Sequence, residues 1–191
     1  MSINFDVPET GRSPFSGSWL PADLGFKAMT SDPGTTISGL TLAAGQINAF
    51  RIRLLKPETL TGVVVGVQTA GVTLTSGQNL AGLYSTAGVK LAETATQHTN
   101  WTSTGWRQAA WTTPYAAAAG DYFIALVYNG TTSPQFCRPN NVTSANGVLT
   151  TPIASLRAIR TSAGGNTSLP SSTDFTSGWE AHGTMCLVAV Y

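Results

Sequence analysis

The chain has 191 residues, with ten Lys and Arg against nine Asp and Glu and a formal net charge of +1. So even a balance supplies no electrostatic basis for binding nucleic acid or an anionic membrane surface, and no apolar stretch approaches the ~20 residues that a membrane-spanning helix needs. Charged residues make up 10% of the chain, against about 25% in an average soluble protein. Ser, Thr, Asn and Gln must therefore supply the polar surface, which fits secreted and virion β-proteins better than cytosolic enzymes.

A chain of this length suits one domain that buries roughly 70% of its unfolded surface without a staple. Its two cysteines, Cys137 and Cys186, have no second pair to complete a zinc site. They read as two free thiols, at least one of them buried. The first residues lack the basic and apolar regions of a secretory signal, so none is expected.

Residues 1–35 have no sustained period and are interrupted by Pro8, Pro14, Pro21 and Pro33. Phe5, Phe15, Trp19 and Phe26 make them too apolar for a linker. An extended arm is expected, its aromatic side chains docking into grooves of its own body or of a neighbour, with a short helical turn at Pro21–Leu24.

Residues 36–191 read as the body. Thr35–Leu42 is a strand and Gly45 a turn. Gln46–Leu55 alternates, with Phe50, Ile52 and Leu54 on one face and Arg51 and Arg53 on the other. Leu60–Thr69 places Val63, Val65 and Val67 on one face. Strands at Asn79–Ser85 and Val89–Thr96 flank Thr86–Gly88, a hairpin connection with Gly placed for positive φ. Trp106–Thr113 is a strand that Pro114 stops. Ala116–Ala119 is a loop, because four alanines cannot nucleate a helix.

Tyr122–Tyr128 is an unbroken run of seven apolar or aromatic residues between two glycine-bearing turns. It is expected to be a central strand covered on both faces. A short strand around Phe136, a polar loop over Asn140–Pro152, a strand over Ile153–Arg160 and a long surface loop over Thr161–Gly178 follow. His182–Tyr191 reads as a closing apolar strand. The expected fold is an all-β antiparallel sandwich, jelly-roll-like, of eight to ten strands with an N-terminal arm.

Catalytic signals are absent from the sequence. His98 and His182 fall in a loop and at a strand start, and no nucleophile, metalloprotease or phosphate-loop motif occurs. No acid–base pair assembles, and no Asp cluster supports calcium, so neither an enzyme, nor a metal, nor a cofactor is expected. The residues with most functional content are aromatic. Trp101, Tyr115 and Trp179, in or beside loops, are candidates to stack on a sugar or anchor a partner. Trp111 alternates with Ala109 and reads as core, and Trp106 reads as a cap on the sandwich edge.

Three stretches, Gly82–Thr94 (GLYSTAGVKLAET), Gly105–Tyr115 (GWRQAAWTTPY) and Ala119–Tyr128 (AGDYFIALVY), fall within residues 46–130. This part of the chain resembles a β-sandwich module of minor tail, fibre and other virion surface proteins of actinobacteriophages. It is also similar to jelly-roll modules appended to secreted bacterial carbohydrate-active proteins. The resemblance implies a non-enzymatic virion protein, a tail or fibre-type component that reaches the host surface. Its expected partners are other virion proteins, further copies of itself, with a trimer favoured, and a host-surface glycan. Decoration of a phage capsid and a free-standing carbohydrate-binding module are the alternatives. The resemblance carries over no catalytic or binding residue.

Overall fold

The computed structural model describes residues 19–139 and 157–191. Phe5 and Phe15 of the expected arm, the Asn140–Pro152 loop and the start of the Ile153–Arg160 strand lie outside them. The described residues form fourteen antiparallel strands, five of them only two or three residues long, which is why the count exceeds the eight to ten expected. The strands are β1 (Ala28–Met29), β2 (Thr36–Thr41), β3 (Ile47–Leu54), β4 (Glu58–Thr69), β5 (Val72–Leu74), β6 (Leu80–Ser85) and β7 (Lys90–Glu93). The rest are β8 (Gly105–Ala117), β9 (Gly120–Val127), β10 (Gly130–Thr132), β11 (Gln135–Pro139), β12 (Ala158–Thr161), β13 (Trp179–Ala181) and β14 (Val188–Val190).

Two six-stranded sheets face one another. In the first, β4 carries β8 along one edge, and β14 and then β11 along the other; β1 and β2 lie outside these. The second runs β13-β12-β3-β9-β6-β7. The short β5 and β10 form a separate ribbon.

Between the sheets lies the main core. The alternation read from the sequence places it correctly: Phe50, Ile52 and Leu54 of β3 meet Val63, Val65 and Val67 of β4 there. Burying each such side chain stabilises the fold by about 1.5–3 kcal/mol.

Strand β9 is central, as its unbroken apolar run requires, with β3 on one side and β6 on the other. Its Tyr122, Ile124 and Leu126 face the main core. Phe123, Ala125 and Val127 face the opposite way, into a second buried cluster with Leu169, Phe175 and Trp179. Here the structure corrects the expectation for Thr161–Gly178. This segment is not merely a surface loop but a cover laid over the outer face of the second sheet.

Backbone and side-chain bonds hold the cover in place. Tyr84 donates its hydroxyl to Pro170 O, Lys90 N–H donates to Ser171 O at 2.9 Å, and Thr173 N–H donates to Gly88 O at 2.9 Å. At the end of the sandwich, Asn129 Nδ2 donates to Asn166 O at 2.9 Å and Asn166 Nδ2 to Gly45 O at 2.7 Å, so three turns are tied together.

Two further expectations are corrected. Strand β8 does not stop at Pro114 but runs to Ala117, taking in part of the expected Ala116–Ala119 loop. Its register jumps from Ala110, opposite Gly62, to Tyr115, opposite Leu60. Trp111–Pro114 therefore bulge opposite Thr61 alone, and proline costs the ladder no bond there. The strand expected over His182–Tyr191 is confined to Val188–Val190.

Candidate interaction surface

The predicted aromatic residues separate by burial. Trp101 is 1% exposed and packs edge-on against Phe136, with ring centroids 5.1 Å apart. The short 3-10 turn at Asn100–Thr102 turns its ring into the core. Trp179 is 7% exposed, stacks edge-on against Phe175 at 5.0 Å and donates its indole N–H to Thr173 Oγ1 at 2.9 Å. Tyr115 packs against the main core. Neither Trp101 nor Trp179 offers a free face, and these three residues are not brought together. Trp111, at 4% exposure, is core as read.

Among the described tryptophans of the sandwich body, the one that faces solvent is Trp106, 49% exposed. Because Trp111 and Ala109 point inward, strand alternation sends Trp106 outward. This parity was readable in the sequence and identifies the residue. Trp106 stands opposite Gly66, where a β-carbon would come within 3.8 Å of the indole and 2.9 Å of Cys137 Sγ. Glycine on β4 thus leaves the outer face low enough for the indole and the thiol to lie over it.

Beside Trp106 is Phe26, the last aromatic residue of the expected arm, with ring centroids 6.3 Å apart and planes at 49°. The 3-10 turn Pro21–Leu24, expected from the sequence, positions it. Asp23 Oδ2 accepts from Leu20 N–H at 2.8 Å, Gly25 adopts φ 75°, and Phe26 N–H donates to Pro21 O at 2.9 Å. Next in the chain, Lys27 N–H donates to Val190 O at 2.8 Å and docks the segment on β14. Trp19, also from the arm, is 48% exposed, with its N–H donating to Asp32 Oδ2 at 3.0 Å.

Phe26 also lines a cleft of about 750 Å³, with Leu20 and Pro21 on its side and Leu55, Lys56 and Glu58 beyond. Leu55, at the β3–β4 turn, is 88% exposed. At the rim, Glu58 receives Lys27 at 3.1 Å and Lys56 at 3.4 Å, and the hydrogen bond from Lys27 holds its carboxyl below the ordinary range. The result is a contiguous aromatic and aliphatic surface, Trp106–Phe26–Leu55, with a charged border. Exposed apolar patches rimmed by polar groups are a common feature of interaction sites.

Comparison of the chain with models of protein families, with curated proteins and with solved structures gives no match.

Among the described residues, no three His, Cys, Asp or Glu side chains gather to hold a metal ion. His98 sits 3.4 Å from Thr96 Oγ1. His182 accepts the Thr184 N–H at Nδ1, and burial and then the Arg160 charge push its pKa down. The two histidines lie in separate parts of the chain, each engaged with its own threonine.

Proposed function

We propose that the chain is a non-enzymatic structural protein of a phage virion, a minor tail or fibre-type component involved in host attachment, which docks into the particle through its exposed apolar surface. The observation that carries this reading is the Trp106–Phe26–Leu55 patch beside its cleft. A protein with so little net charge and a bordered apolar surface is suited to life within an assembly. Its partners are then other virion proteins and further copies of itself in a closed symmetric ring, with a trimer favoured.

The test is to raise an antibody against the purified chain and label virions for electron microscopy. Gold at the tail is the expected result. Label on the head would assign the chain to capsid decoration, and virions free of label and of its peptides would sink the proposal. Native mass spectrometry of the isolated chain is expected to show a discrete oligomer.

One feature favours a second reading, a free-standing carbohydrate-binding module. The half-exposed indole of Trp106 offers the kind of flat face on which sugar rings stack. A monomer whose tryptophan fluorescence shifts with a polysaccharide, and loses that shift in Trp106→Ala, would favour it.

A further inference from the structure

A second concave site lies where β1 meets the second sheet, and it shares no lining residue with the aromatic cleft. It is a pocket of about 190 Å³ lined by Arg51, Arg53, Arg157, Asp121, Met29 and Thr30, with Ile52 at its base. Arg51 and Arg53 are two apart in β3 and share the face opposite Phe50 and Ile52. Arg51 N–H donates to Arg157 O at 2.8 Å, so the two arginines extend the pairing in which Ala158 opposes Phe50. Like charges set opposite each other on neighbouring strands destabilise a sheet.

The compensation among the described residues is partial. Among the described residues, Asp121 is the one carboxylate lining the pocket. Its Oδ2 is 2.5 Å from Arg51 Nη2, while its Oδ1 is 3.9 Å from Arg53 Nε, too far for a hydrogen bond. Arg157 donates through Nη2 to Thr30 O at 2.8 Å, a neutral partner. Three arginines thus line a pocket that holds one carboxylate among the described residues, and the Arg53 side chain remains 74% exposed.

We infer that this pocket binds an oxyanion of the phosphate class, held by the Arg53 and Arg157 guanidiniums with Arg51 fixed in place by Asp121. Planar guanidinium forks match the paired oxygens of such a group, and an anion here relieves the repulsion between the arginines. The shared chemistry is a phosphoryl group, either the free ion or a phosphate ester on a larger molecule. The site is independent of the virion reading, since it uses none of the aromatic patch.

The experiment is calorimetric titration of the full chain with sodium phosphate and with glycerol 3-phosphate, each against sodium chloride at matched ionic strength. Saturable binding of phosphate beyond chloride is expected, at least tenfold weaker in Arg53→Gln and in Arg157→Gln and only partly retained in Arg53→Lys, which keeps the charge without the fork. Binding of both probes supports an ester ligand, and binding of inorganic phosphate alone supports the free ion. No saturable binding beyond the chloride control would overturn the inference, and so would equal affinity in both glutamine variants.

Discussion

A β-carbon on Gly88 would collide with the carbonyl oxygen of Thr173, and the amide of Thr173 donates back to the Gly88 carbonyl at 2.9 Å. The hairpin after β6 and the cover over the second sheet are therefore built against each other. Gly88 also holds φ 81°, a left-handed conformation that disfavours a side chain. Gly88→Ala is expected to destabilise the fold by roughly 2–3 kcal/mol, combining backbone strain with displacement of the cover. Urea denaturation measures it. A loss under about 0.5 kcal/mol would mean that the cover does not sit there.

The second cluster makes a prediction of its own. Phe175 is 3% exposed and its ring lies 4.8 Å from that of Phe123 and 5.0 Å from that of Trp179. Phe175→Ala should cost about 3–5 kcal/mol, the usual range for a core aromatic. A true surface loop would lose almost nothing. Thermal or chemical unfolding of this one variant thus distinguishes cover from loop.

This cover is also where sequence reasoning fell short. Strands β3, β4 and β9 were legible because their apolar residues recur every second position or without a break. Thr161–Gly178 has no period, and Leu169 and Phe175 stand alone among Ser, Thr and Gly. Their burial depends on the partner face of β9, whose unbroken apolar run already called for a second layer without saying what supplied it. The site shows the same limit. Trp101 and Trp179 sit in polar surroundings in the sequence and look exposed, yet tertiary packing turns both inward. The outward direction of Trp106, by contrast, follows from the alternation that makes Trp111 core.

The thiols are expected to differ. Both are free; Cys186 is fully buried and Cys137 half-buried over Gly66. Burial pushes both thiols above their ordinary pKa, Cys186 furthest. Because only the thiolate reacts, a thiol reagent at pH 8 should modify Cys137 slowly, faster as pH rises, and leave Cys186 untouched until the protein unfolds. Two thiols should titrate in denaturant. Rapid reaction of Cys186 in the native protein would contradict its placement.

His182 contributes a pH dependence with a definite sign. Its folded pKa is depressed, first by burial and then by Arg160, while Thr184 N–H occupies Nδ1. The unfolded chain then binds the proton more readily than the folded one. The contribution of neutral His182 to stability is complete above the unfolded value near 6.5 and is lost as pH falls below it. His182→Gln should flatten the stability–pH curve as pH falls below about 6.5. An unchanged slope there would remove His182 as its source.

The most direct test of the interaction surface replaces Trp106 and Leu55 together, as Trp106→Ser and Leu55→Ser, and measures incorporation into virions alongside unfolding in urea. Leu55 is 88% exposed and Trp106 half-buried against Phe26, so the pair should cost about 1–3 kcal/mol and leave the chain folded. The account predicts a folded variant that is lost from virions. A variant that folds as before and incorporates at the wild-type level would contradict it.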